Sequence, residues 1–211
     1  MTPPTPILQA DALSFGYPDQ PQGLLFDQLC VRLPPGVTWL CGDEGAGKTT
    51  LLQLLAGALK GRGRIEINGV VLDAGSAGYR QQVAWFDPRD AALDPHTARQ
   101  IFSTLPQRHP GFEPAALQAH IEGLSLEPHL DKTLTMLSTG SRRKVLMAAA
   151  LASQATVTLL DQPFMALDRP SIAYLLGVLA KAAIHPSRAW VVADYVAPDP
   201  VALAAVIELG T

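Results

Sequence analysis

Gly42-Asp-Glu-Gly-Ala-Gly-Lys48-Thr49 fits the pattern GxxxxGK[ST] in full. It falls between a short apolar run, Gly36–Cys41, and a run of good helix formers, KTTLLQLLAGALK, which predicts a helix over Lys48–Lys60 that stops at Gly61. The mechanism of the pattern needs that order. A strand delivers the loop, its glycines let successive backbone N–H groups turn toward phosphate oxygens, and the helix start adds a partial positive charge. Lys48 then reaches the terminal phosphates and the Thr49 hydroxyl ligates Mg²⁺. The candidate phosphate-binding residues are therefore Gly42, Asp43, Glu44, Gly45, Ala46, Gly47, Lys48, Thr49 and Thr50.

Upstream of the loop, Pro6 to Leu40 alternates apolar and polar residues with breaks at Gly16–Pro21 and Pro34–Gly36, which predicts antiparallel strands. Downstream, Arg64–Ile67, Asn68-Gly69 and Val70–Leu72 predict a hairpin. A strand is expected at Val83–Phe86, and Pro88 to Leu137 changes to proline-punctuated helical segments such as Ala115–Gly123. The chain then reads as a helix from Ser141 to Ser153, a strand over Thr156–Leu160, a helix from Ser171 to Ala183, and strands at Ala189–Val192 and Val206–Leu209. Helix and strand in alternation predict a largely parallel sheet.

Two further segments carry chemistry. Val157-Thr-Leu-Leu-Asp161 is a buried strand that ends in an acid, an arrangement that holds metal or its water beside a phosphate loop; alone it also describes any exposed strand end. Leu137-Ser-Thr-Gly-Ser141 precedes an apolar helix, so Ser138, Thr139, Gly140 and Ser141 are either a second phosphate contact or a plain serine cap.

With these motifs in this order the sequence resembles the ATP-binding cassette family, in which a phosphate loop is followed by a helical insertion, then LSGGQ, then an acidic strand ending DEP, then LD. Here those read LSTGS, then Asp161-Gln162-Pro163, then Ala166-Leu-Asp168. The resemblance spans nearly the whole chain. It implies an α/β fold with a P-loop NTPase core and mostly parallel sheet, an antiparallel β subdomain and an inserted helical subdomain. As boundaries it implies about 1–87 and 138–211 for the core with its β subdomain and 88–137 for the insertion. It implies Tyr17, in LSFGY, as the aromatic that stacks on adenine, where ordinary sheet packing is the alternative. It further implies ATP and Mg²⁺ as cofactors and a head-to-tail pair of nucleotide-binding domains, as homodimer or heterodimer, with each ATP held between one subunit's phosphate loop and the other's LSGGQ-like segment. The helical insertion would dock on a membrane permease, so the chain is expected in the cytoplasm, peripheral to a membrane through that partner.

Three positions depart from the family's pattern. Gln162 replaces the general-base Glu, and a carboxamide accepts no proton from water at neutral pH. Asp194 replaces a γ-phosphate-contacting His, and an acid there is repulsive unless it points elsewhere or acts with Mg²⁺. The family's metal-side Gln falls at Pro88, with Asp87 beside it either as a metal-side acid or as a loop carboxylate in solvent. Together they predict slow or regulatory hydrolysis.

Composition agrees. A chain of 211 residues with 48% hydrophobic residues builds a sizeable core, and a net charge of −3 leaves no basic excess, so nucleic acid is not an expected partner. Cys30 and Cys41 lie in strand-like runs and are expected as buried reduced thiols. The amino terminus lacks the basic start and apolar run of a secretory signal, and Val145 to Leu160 is too short and too interrupted to span a bilayer.

Overall fold

The computed structural model describes residues 5–18, 23–73 and 75–210. Strands β1 (Leu8–Phe15) and β2 (Phe26–Leu33) pair antiparallel, Leu8 opposite Leu33. Of the break expected between them, residues 19–21 lie outside the described residues. Strand β3 (Gly36–Gly42) ends in the first residue of the phosphate loop, and α1 (Lys48–Leu55) follows that loop. Strands β4 (Arg62–Ile67) and β5 (Val70–Val71) form the expected hairpin; Asn68 and Gly69 both take positive φ, 48° and 80°, the two-residue turn geometry that Asn-Gly favours. Next come α2 (Ala77–Gln82), β6 (Val83–Ala84), α3 (Ala98–Ser103), α4 (Leu105–Arg108) and α5 (Pro114–Gly123). Helix α6 (Thr139–Ala152), β7 (Val157–Asp161), α7 (Arg169–Ala183), β8 (Ala189–Ala193) and β9 (Leu203–Leu209) complete the order.

Two sheets result, as the α/β reading with a P-loop core expects. One is antiparallel with order β2-β1-β4-β5, and the other is parallel with order β6-β7-β8-β3-β9. The strands β3, β7 and β8 are buried on both faces and sort their side chains with period two, while the edge strand β9 leaves one face exposed. Val37, Trp39, Leu160, Trp190 and Val192 point into the cluster that contains α6 and α7; Leu40, Val157, Leu159, Val191 and Ala193 point into the one that contains α1 and the antiparallel sheet. Helix α6 is buried continuously from Lys144 to Ala152, and its four alanines let it lie close against the sheet. No helix among the described residues is long and apolar enough to cross a membrane.

Several local readings change. Helix α1 stops at Leu55, short of the expected Lys60, because Gly57 adopts φ 70° and the chain closes on itself there: Gly57 N–H donates to Leu54 O at 3.0 Å and Ala58 N–H to Gln53 O at 2.9 Å. These two bonds define a Schellman stop, which satisfies the last carbonyls of the helix. Helix α2 lies between the hairpin and β6, where no element was expected, and is anchored by the buried Tyr79, whose hydroxyl donates to Leu55 O at 2.6 Å. Cys30 is exposed rather than buried and Cys41 is half-buried; both are free thiols. On β2, Cys30 shares the open face with the exposed Arg32, while Val31 and Leu33 face inward.

Candidate functional site

β3 carries the phosphate loop to the carboxyl edge of the parallel sheet, where α1 begins. Gly42 has φ 147°, and a Cβ there would lie 2.6 Å from Leu209 O, so the loop's first turn is packed directly against β9. Lys48 is buried. Its Nζ donates to Gly42 O at 2.5 Å and Asp43 O at 2.9 Å and lies 4.5 Å from the centre of the Tyr195 ring. A cavity of about 410 Å³ opens over the loop; Tyr17, Glu44, Lys48, Arg89, Gln162 and Tyr195 are among the side chains that line it.

Asp161, at the end of β7, meets the loop across the sheet: Thr49 Oγ1 donates to Asp161 Oδ2 at 2.7 Å. Asp161 Oδ1 is buried without a hydrogen-bond partner, a costly state for a carboxylate oxygen. Burial raises the Asp161 pKa and the neighbouring Asp87 adds to that rise, while the Thr49 bond, Arg89 and Arg143 hold it down. Asp87 is not a solvent carboxylate. Its side chain is 18% exposed, its Oδ2 accepts from Gln53 Nε2 of α1 at 3.1 Å, and its Oδ1 accepts from Arg89 N–H at 2.9 Å. No cluster of three or more His, Cys, Asp or Glu able to hold a metal occurs among the described residues. A hydroxyl, one orphaned carboxylate oxygen and a second acid fit a Mg²⁺ ion instead, which takes few protein ligands and completes its shell with water and phosphate.

Gln162 has φ 46°, a sparsely populated backbone for a side chain with a Cβ. It is held there by both of its peptide groups: its N–H donates to Ala193 O at 2.7 Å, and its carbonyl accepts from Arg143 Nη1 at 2.8 Å. Arg143 Nη1 also donates to Asp161 O at 2.8 Å, so one guanidinium clamps the turn that presents Gln162 to the cavity. Asp194 follows β8, and its N–H donates to Leu40 O at 3.1 Å. Its carboxylate does not line the cavity: Oδ1 accepts from Tyr195 N–H at 2.9 Å. Burial raises its pKa, against backbone hydrogen bonds from Tyr195 and Phe164 and the charges of Arg143 and Lys48. The ring that faces Lys48 is therefore the next residue, Tyr195. Tyr17 also lines the cavity, with its hydroxyl hydrogen-bonded to Thr50 Oγ1 at 2.8 Å and its ring edge-on to Phe15 at 5.0 Å.

Ser138, Thr139, Gly140 and Ser141 are not brought to this cavity. They open α6, where Ser138 Oγ caps the helix by accepting from Ser141 N–H at 3.1 Å and donates to Ser141 Oγ at 3.0 Å. Gly140 packs so closely on the Ala166 carbonyl that a Cβ would fall 2.3 Å from it. This ties the segment to Asp168, whose Oδ1 caps α7 by accepting from Ser171 N–H at 2.9 Å and whose Oδ2 accepts from Lys144 at 2.5 Å. Four side chains that sequence reading passed over belong to the site: Gln53, Arg89, Arg143 and Tyr195. Arg143 follows LSTGS, Tyr195 follows Asp194 and Arg89 follows Asp87-Pro88, whereas Gln53 lies beside no position singled out above.

A family profile described as ABC transporter matches residues 26–165. The chain is similar to the cytochrome c biogenesis ATP-binding export protein CcmA of Pseudomonas fluorescens (strain Pf0-1), 30% identical over 178 residues that cover 83% of each chain. It is also similar to the Fe(3+) ions import ATP-binding protein FbpC 2 of Rhodococcus jostii (strain RHA1), 37% identical over 160 residues, which are 72% of this chain and 46% of that one. Among solved structures, the ATP-binding subunit of an ABC transporter superposes with a TM-score of 0.77 at 23% identity, covering 90% of this chain and 80% of that one. An ATP-binding cassette in a dimeric post-hydrolysis state bound to ADP and Pi superposes at 0.72 with 19% identity, covering 90% and 88%. These structural likenesses concern the fold.

Proposed function

The chain belongs to the ABC transporter family, and we propose that it is the ATP-binding subunit of a membrane transporter, binding Mg-ATP between two cassettes packed head to tail and hydrolysing it slowly. The observation that carries the reading is the 2.7 Å bond between Thr49 and Asp161, which joins the phosphate loop to the acidic strand across 112 residues of sequence. In this reading the loop N–H groups and Lys48 hold the phosphates, Tyr17 stacks on the base, and Thr49, Asp161 and Asp87 hold Mg²⁺. When bound, the ion offsets the charge of the β- and γ-phosphates. The capped segment Ser138–Ser141, which does not line its own loop's cavity, serves the loop of a second cassette. Residues 88–137 form the helical subdomain that docks on a permease, placing the chain at the cytoplasmic face of a membrane. The printed names of the relatives include both export and import, so the reading extends to energy coupling and not to cargo or direction.

Slow turnover follows from Gln162, whose carboxamide faces the cavity where a base would take a proton from water. A second reading, a nucleotide-gated dimerisation module without turnover, is favoured by Asp194, whose carboxylate turns to backbone N–H groups. Isothermal titration with Mg-ATP, alongside solution mass with and without nucleotide, tests the shared core of both. Lys48→Ala is expected to weaken ATP binding about tenfold or more by removing a charge-assisted contact, and Mg-ATP is expected to double the solution mass or to add the mass of a partner cassette. Undiminished binding by Lys48→Ala would sink the phosphate-loop assignment.

A further inference from the structure

Arg89 is placed where a metal-side cation belongs. Its guanidinium Nη2 lies 3.2 Å from Asp161 Oδ2, the same oxygen that accepts from Thr49, and its Nε lies 3.6 Å from Asp87 Oδ1. The backbone holds it there. Arg89 N–H donates to Asp87 Oδ1 and Asp90 N–H to Asp87 O at 3.1 Å, a tight turn around Pro88 whose ring fixes one dihedral. The other Asp87 oxygen is bound to Gln53 of α1, so the turn is fastened to the helix that carries the phosphate loop. The Arg89 side chain is 66% exposed and lines the cavity together with Lys48 and Thr49. Asp87 and Asp161 are its ion-pair partners among the described residues, and the Asp161 side chain is only 7% exposed.

A guanidinium stays charged at any pH the protein meets. Arg89 and Thr49 hold Oδ2 of Asp161, so a Mg²⁺ ion taken up at the unpartnered Oδ1 would lie across one carboxylate from the guanidinium, and the two cations would repel and disfavour each other there. The turn keeps the guanidinium on the rim of the same cavity, where its fork of donors matches phosphate oxygens. We propose that Arg89 is a resident cation of the nucleotide site, competing with Mg²⁺ for Asp161 and Asp87 and contacting the triphosphate itself, so that ATP binding depends less on metal than it does when that charge is absent. The proposal rests on the nucleotide site assigned above.

The test is the ratio of ATP dissociation constants in EDTA and in excess Mg²⁺, measured by titration calorimetry on the wild-type chain, Arg89→Ala and Arg89→Lys. Arg89→Ala is expected to widen the ratio about fivefold or more, by weakening metal-free ATP and easing metal entry. Arg89→Lys keeps the charge and is expected to stay closer to wild type than to the alanine variant. A ratio in Arg89→Ala that changes by less than fivefold overturns the proposal, as does an Arg89→Lys ratio as wide as that of the alanine variant. Because the side chain is exposed, the variants should fold; Arg89→Gln read by the same ratio replaces the alanine variant should that one aggregate. If wild-type protein binds ATP in neither buffer, the nucleotide-site assignment falls and takes this proposal with it; if it binds and the ratio is indifferent to residue 89, only the role of Arg89 falls.

Discussion

If the missing base limits turnover as proposed, Gln162→Glu should raise the rate of hydrolysis. The substitution is nearly isosteric, and the backbone at 162 is fixed from both sides by Ala193 O and Arg143, so the new carboxylate takes the place of the carboxamide on the cavity wall. A positioned general base contributes about 10²–10⁴ in rate, or about 3–5 kcal/mol of barrier. Two features set the lower end of that range here: Asp161 is the adjacent residue and adds like charge, and Asp194, where the resemblance implies a γ-phosphate-contacting His, has its carboxylate on the Tyr195 N–H. The expected gain is therefore about 10²-fold. It is read as γ-phosphate release under excess Mg-ATP, with ATP affinity measured in parallel to show that the substrate is still bound. A Gln162→Glu protein that binds ATP as wild type does and releases phosphate no faster would refute the argument that the missing base limits turnover, and would leave the nucleotide-gated reading.

Two comparisons address the framework. Gly42→Ala and Gly45→Ala both force a side chain onto positive φ, but only Gly42 has a backbone oxygen in the way while Gly45 has nothing within 4 Å. Gly45→Ala is expected to cost about 1–2 kcal/mol and Gly42→Ala about 3 kcal/mol or more in urea unfolding; equal costs would contradict the packing of the loop on β9. Asp168→Ala removes the cap of α7 and should cost about 1–2 kcal/mol at neutral pH. The Lys144 and Ser171 bonds hold the Asp168 carboxyl well below its ordinary 3.8. A depressed folded-state pKa contributes stability that is present in full above the ordinary value of 3.8 and is lost as pH falls from there through the folded-state value. The gap in melting temperature between wild type and Asp168→Ala should accordingly hold from pH 7 to about 5 and narrow in acid.

The phosphate loop, the parallel sheet and the Asn68-Gly69 hairpin were legible because each depends on local geometry: glycines where φ must turn positive, runs of apolar residues where both faces are buried. The end of α1 was not legible to the same degree. Gly57 and Gly61 are both plausible stops, and Gly57 is used because the loop after it folds back with Leu72 beside that glycine. The exposure of Cys30 could have been read from Arg32, since residues two apart on a strand share a face. Arg89 could not have been found this way, because its meaning lies in a carboxylate 72 positions further along, and nothing in the composition of a Pro-Arg turn points there. The departures at Gln162, Asp194 and Pro88 were visible only against the resemblance, and the replacement of Asp194 by the Tyr195 ring above Lys48 needed the fold.

The bracing of Gly42 by Leu209 also sets an order in time. The first turn of the phosphate loop leans on a strand that enters the parallel sheet from far down the chain; the contact from Cys41 Sγ to Ile207 O spans 166 residues. During synthesis, at about 5–20 residues per second, β3 waits many seconds beside the ribosome before β9 exists to flank it. The binding loop is written early and becomes rigid late, so a nascent chain is expected to acquire nucleotide affinity only after residue 209 has left the exit tunnel.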